Sequence, residues 1–150
     1  MNINDTPTTQ PIFASGATVN MTNNTLNTNW SRDGKFVTLG LSMTFNGPSA
    51  AVSNCIFTLP SFLTIDLANL ASATVGYGRI EDIGTNRYSI QGIVLVGNQI
   101  AMRVLVTSGA FGTDADITHT VPFTMNVGDV LDIYLRFPVS SFNTTAIEDL

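Results

Sequence analysis

A chain of 150 residues, 44% hydrophobic and 11% charged, is about one domain and buries roughly two thirds of the surface its unfolded form exposes. Charged residues are typically about a quarter of a globular domain, so this chain has few with which to cover a free monomer surface, and it is expected to form an oligomer. A net charge of -5 without a basic cluster cannot neutralise a row of phosphates, which excludes nucleic acid as a partner. No run approaches the roughly 18 to 20 apolar residues of a membrane span, and the N-terminus lacks the basic-then-apolar order of a secretion signal, so a soluble protein is expected.

In chain order, residues 1–16 read as an extended polar lead-in that docks, if at all, through Ile12 and Phe13. A head domain follows over 17–139, then a polar tail at 140–150. Residues 17–21 form a short predicted strand, and 23–29, rich in Asn and Thr, read as a polar loop leading to Trp30. From Val37 to Phe45 every second residue is apolar, the signature of a strand with one dry face. Asp33-Gly34 before this stretch and Asn46-Gly47-Pro48 after it are turn signals, so 35–45 is predicted to be the central strand of a sheet.

A second strand is expected over 55–59, ended by Pro60, then a loop over 61–73 holding a short strand or a single helical turn. Residues 74–80 read as a strand weakened by Gly76 and Gly78, with an exit turn at 81–86. Next comes a hairpin, 87–96 with 99–107, about Gly97-Asn98, a dipeptide expected to supply the positive φ angles of a tight turn. Residues 108–116 read as a long loop, 117–123 as an edge-like strand and 125–129 as a turn. Residues 130–137 form a closing strand with Leu131, Ile133, Leu135 and Phe137 inward and Asp132, Tyr134 and Arg136 on the other face. Eight to ten short strands with hardly a convincing helix predict an all-β antiparallel β-sandwich or jelly roll.

Both hairpin arms carry apolar residues on both faces, Ile90, Val94 and Val96 against Ile93 and Leu95, and Met102 and Val104 against Ala101 and Leu105. A second covering surface is then needed. A homotrimer provides it, with Ile93, Leu95, Leu105 and Tyr134 expected at the interface. Receptor contacts fall to Phe111, Asp114, Asp116 and Tyr77, mostly on the long 108–116 stretch.

The candidates for chemistry are few. Cys55 stands alone in an apolar run and reads as a buried thiol. His119 is the single histidine, which excludes a multi-histidine zinc site within one chain. Asp114 and Asp116 could offer oxygen ligands to Ca²⁺, although two carboxylates do not fill its shell and a solvated acidic turn explains them as well. No nucleophile elbow, phosphate loop or dinucleotide fingerprint is present, and neither a catalytic residue nor a cofactor is expected. Trp30, Tyr77, Tyr88 and Tyr134 are the aromatic rings suited to stacking on a sugar.

The run Trp30-Ser31-Arg32-Asp33-Gly34-Lys35-Phe36-Val37, the Phe57-Thr58-Leu59-Pro60 strand end and the late Val127-Gly128-Asp129-Val130-Leu131-Asp132-Ile133 together resemble the globular head domains of bacteriophage fibre and spike proteins. The resemblance spans about 30–137. It implies a trimeric jelly roll of the tumour-necrosis-factor or complement-head type, located in the virion, associated with other virion proteins and used in recognising a host receptor or glycan. The stretch ahead of the head carries no fibrous shaft or collagen-like stem, which fits an excised domain or a small capsid-associated protein. The alternative expectation is a carbohydrate-binding or adhesion jelly roll outside any virus. A glycan-cleaving enzyme, which needs two carboxylates across a groove, is the weaker third.

Overall fold

Period-two alternation places most of the chain. A computed structural model describes residues 17–61, 63–108 and 111–142. Among them run β1 (Thr18–Val19), β2 (Asn24–Asp33), β3 (Phe36–Phe45), β4 (Cys55–Thr58), β5 (Leu63–Ile65), β6 (Thr74–Asp82), β7 (Asn86–Val96), β8 (Gln99–Ser108), β9 (Phe111–Asp116) and β10 (Val130–Phe142). One turn of 3-10 helix, Leu67–Asn69, follows β5. No helix in the described part is long and apolar enough to cross a membrane. The sheet order is β1-β4-β8-β7-β6-β10-β3-β2, with β9 beside β8 and β5 beside β10. All pairs are antiparallel. The sheet curls into an all-β sandwich of the jelly-roll kind, as expected.

Its inner face is the core. On β3 the inward residues Val37, Leu39, Leu41, Met43 and Phe45 are buried, and they meet Leu131, Ile133, Leu135 and Phe137 of β10 with Phe57, Ile80, Ile90 and Ile100 from the facing strands. Burying each of these large side chains contributes about 1.5 to 3 kcal/mol. The ends are tied by backbone bonds: the Leu59 amide donates to Asn98 O at 2.8 Å, Ile65 to Gly97 O at 2.7 Å and Asp66 to Pro138 O at 2.9 Å. The tip of the β7–β8 hairpin is thereby fastened to β5 and to the segment after β4.

Several expectations are corrected. Residues 23–29 are not a loop: from Asn24 they belong to β2, which pairs along the whole of β3 and buries Trp30 against Leu39. Because β2 covers its other edge, β3 lies one strand in from the end of the sheet and is not central. The 130–137 strand does not close the sheet but lies between β3 and β6, and it runs on through 140–142 to pair with β5. Residues 143–150 and the lead-in 1–16, including Ile12 and Phe13, lie outside the described residues.

Within the 108–116 stretch, Ser108 ends β8 and Phe111–Asp116 is β9, paired with β8 from Arg103 to Ser108. Residues 117–123 form no strand. There the Thr118 amide donates to Val121 O at 3.1 Å and the Thr120 amide to Thr118 Oγ1 at 3.1 Å, local bonds that compete with a ladder. Gly97 and Asn98 do not have positive φ; among the described residues the non-glycine one that does is Asn23, at 60°. A register shift between Val94 and Val96, with the tip's two carbonyls held by Leu59 and Ile65, replaces the mirror-image turn.

Among the described residues, one polar side chain is buried inside this frame. Asp129 is 1% exposed; its carboxylate accepts from the Ile83 amide at 3.1 Å and from the Asn126 amide at 2.6 Å. The Phe45 amide donates to its backbone carbonyl at 2.9 Å. Asp129 therefore joins the β6–β7 turn, the approach to β10 and the end of β3, and Gly128 before it takes φ +92° to allow the turn.

Candidate functional site

The outer face of the sheet is where side chains remain available. Strand register carries one row of residues from β2 to β9: Asn29, Gly40, Tyr134, Tyr77, Gln91, Arg103 and Asp116. Directly opposed residues hold their Cβ atoms about 4.5 to 5.5 Å apart, so Tyr77 of β6 and Tyr134 of β10 stand side by side. They are 67% and 68% exposed, and neither side chain makes a hydrogen bond or ring contact among the described residues.

A residue without a side chain lies next to one of these rings on the outer face. Gly40 lies beside Tyr134 on β3, where a Cβ would come within 2.6 Å of Asn29 Oδ1. Gly76 and Gly78, on either side of Tyr77 in sequence, face the core instead: a Cβ at Gly76 would come within 2.6 Å of Leu135 Cδ2, and one at Gly78 would fall onto the Asp132 carbonyl and within 2.7 Å of Ile133 Cα. Three shallow depressions lie around the rings, of about 350 Å³ on the Asn27 and Asn29 side of Tyr134, about 450 Å³ towards Thr38 and Val75 and about 240 Å³ towards Arg79. All three are walled by Tyr134.

The charged groups at the rim are engaged. Asp132 accepts from Ser42 Oγ at 2.6 Å and pairs with Arg79 at 3.5 Å, while Arg79 also reaches Glu81 at 3.8 Å. Arg136 donates to Thr38 Oγ1 at 3.2 Å and lies 4.7 Å over the Phe36 ring. The side-chain amides of Asn27 and Asn29, in contrast, make no hydrogen bond among the described residues.

The remaining predicted residues fall elsewhere. Asp114 and Asp116 project from β9 onto Arg103, at 3.4 and 3.3 Å, and Gln91 Nε2 donates to Asp114 at 3.0 Å. The Arg103 Nε–H is not directed at a hydrogen-bond acceptor, so its short distance to Asp116 is an ionic contact. No three of His, Cys, Asp and Glu converge as metal ligands among the described residues. Phe111 opens β9, and its side chain lies outside the described part.

Ile93, Leu95 and Leu105 all face outward, but Leu95 lies at the hairpin tip and Leu105 at the opposite end, opposite Asp114. The Arg103 network separates them, so they do not form one patch. Trp30 is in the core, and Tyr88 packs against Phe123 at 5.9 Å. His119 Nδ1 lies 3.3 Å from the Val52 amide nitrogen and 3.2 Å from its carbonyl oxygen. Burial pushes the Cys55 thiol up to about 12, so it carries no thiolate at neutral pH.

Sequence reasoning singled out both tyrosines but assigned one to a receptor and the other to a subunit interface. It missed Asn27 and Asn29, since only the pairing of β2 with β3 brings them beside Tyr134. Comparison of the chain with known protein families, curated proteins and solved structures gives no match.

Proposed function

We propose that this protein is a non-catalytic head module of a bacteriophage fibre or spike, carried in the virion as a homotrimer and used in attachment to the host surface. The observation that carries the recognition role is the exposed Tyr77–Tyr134 pair, held on a rigid sheet and flanked by unpartnered amides. Surfaces of this kind offer contact area at low entropic cost. Support for a non-catalytic reading comes from the groups otherwise suited to chemistry. Asp114 and Asp116 share Arg103, Asp132 is held by Ser42 and Arg79, His119 is placed on the Val52 backbone, and Cys55 is a buried thiol. Assembly through the hairpin tip is consistent with the exposure of Leu95 and Val96, both 48%, and leaves the tyrosines open.

Two measurements test this reading together. The fluorescently tagged full chain should adsorb to a subset of a panel of bacterial strains, and native mass spectrometry should give a trimer that Leu95→Asp dissociates. A folded monomer at micromolar concentration that adsorbs to none of the strains overturns it.

A further inference from the structure

We propose that the surface around Tyr77 and Tyr134 binds a neutral hexose-containing glycan, with sugar rings stacked on the two tyrosines and hydrogen-bonded to the amides of Asn27 and Asn29. The inference rests on the recognition role proposed above and names the chemical class of what is recognised.

The geometry points to a sugar in three ways. First, two phenol rings stand side by side with both hydroxyls free among the described residues. Each ring offers an apolar face to sugar C–H groups and a polar edge to sugar hydroxyls. Second, depressions of about 350 and 240 Å³ lie open against Tyr134, the first with Gly40 in its lining, so a ring-sized group can lie beside the phenols without backbone movement.

Third, the free polar groups are all neutral. An Asn amide presents two donors and an acceptor, the combination that matches a hydroxyl acting in both roles. The charges nearby are already paired: Arg79 with Asp132 and Glu81, Asp132 additionally with Ser42, and Arg136 with Thr38 and Asp33. An anionic ligand would have to draw Arg79 away from two carboxylates while lying next to them, or Arg136 away from Asp33 and Thr38, and a cationic one would have to displace Arg79. A neutral polyol meets neither cost. An apolar protein surface is disfavoured as occupant because it would bury the Asn27, Asn29 and tyrosine polar groups without partners.

Isothermal titration calorimetry of the full chain with maltohexaose, cellohexaose, mannohexaose and chitohexaose, alongside sialyllactose and inorganic phosphate, tests the assignment. Saturable binding is expected for at least one neutral oligosaccharide and for neither anion. Tyr134→Ala and Tyr77→Ala should each weaken it about tenfold or more, while Tyr134→Phe, which keeps the ring, should retain binding within about threefold. Asn29→Ala should weaken it by a smaller factor, and Arg103→Ala, outside the site, should leave it unchanged. Circular dichroism melts of each variant separate lost binding from lost fold.

No saturation by any neutral oligosaccharide at millimolar concentration, binding of the anions alone, or equal binding by wild type and folded Tyr134→Ala would each overturn the inference. Periodate oxidation of the cell surface keeps it distinct from the attachment role. Adsorption that survives periodate but is lost in Tyr134→Ala overturns the glycan and leaves attachment standing. Oligosaccharide binding without adsorption to any strain does the reverse.

Discussion

The two faces of β3 and β10 are made by the same backbone and obey opposite rules. Inward, Val37, Leu39, Leu41, Met43 and Phe45 are at most 4% exposed and tolerate neither loss of volume nor an unpaired polar atom. Outward, Thr38, Ser42, Asp132 and Arg136 make paired polar contacts in partial contact with water, where each interaction is weak because solvent competes for it. Stability therefore resides on one face. The other is free to carry rings that contribute little to folding, which is what a recognition surface requires.

The sharpest way to break this comparison is a pair of substitutions on neighbouring faces of β3. Leu41→Ala should cost about 2 to 5 kcal/mol by leaving a cavity among packed side chains. Thr38→Ala, which removes an exposed partner of Arg136, should cost within about 1 kcal/mol. Urea unfolding midpoints compare the two directly, and equal losses would show that the faces are not energetically distinct.

Polarity on the inner side should behave like volume. Asp129→Ala removes the acceptor of the Ile83 and Asn126 amides and should cost about 1 to 3 kcal/mol, because buried donors are left unsatisfied. Asp129→Asn keeps one acceptor oxygen and should recover part of the loss. If Asp129→Ala proves as mild as Thr38→Ala in the same titration, burial of the carboxylate is not what holds that turn.

How much of this was readable beforehand follows from what each residue had to satisfy. The strands β3 and β10 were legible because Leu39, Leu41, Leu131 and Ile133 alternate with polar residues, and their burial follows that alternation. Edge strand β2 was not, since Asn24 to Asn29 is Asn- and Thr-rich and its pairing depends on a partner sheet edge that local pattern does not encode. Gly112, Asp114 and Asp116 resemble loop chemistry, yet Arg103 across the ladder compensates both carboxylates and lets β9 form. Residues 117–123 erred the other way: Ile117, Val121 and Phe123 alternate, but Thr118 and Thr120 satisfy the backbone locally. The Tyr77–Tyr134 pair depends on the register between two strands far apart in sequence, which no single stretch contains.

The turn asparagines sharpen the comparison at the backbone level. Asn23 has φ 60° and donates to Pro48 O at 3.3 Å, so Asn23→Val should cost about 1 to 2 kcal/mol. Asn98, expected from sequence to need the left-handed region, does not occupy it, and its carbonyl, not its side chain, binds Leu59. Asn98→Val should therefore stay within about 0.5 kcal/mol of wild type. Thermal melts that rank the two variants in the opposite order would contradict the turn geometry.

The smallest effect at neutral pH is predicted for ionisation on the inner face. Cys55 titrates near 12 when folded against an ordinary 9.0, because burial disfavours the thiolate. The sign follows from which state ionises first. Below the ordinary value the thiol is protonated in both states and its contribution is constant. Between that value and about 12 the unfolded chain loses the proton while the folded chain keeps it, so stability falls as pH rises. Cys55→Ala removes the group and with it this component of the slope. The urea midpoints of wild type and Cys55→Ala should thus differ by a fixed amount up to about pH 8 and shift relative to one another by about pH 11, with wild type losing more. Parallel curves across that interval would mean that the thiol ionises as easily inside the sheet as outside it, and the dryness attributed to the inner face would have to be given up at β4.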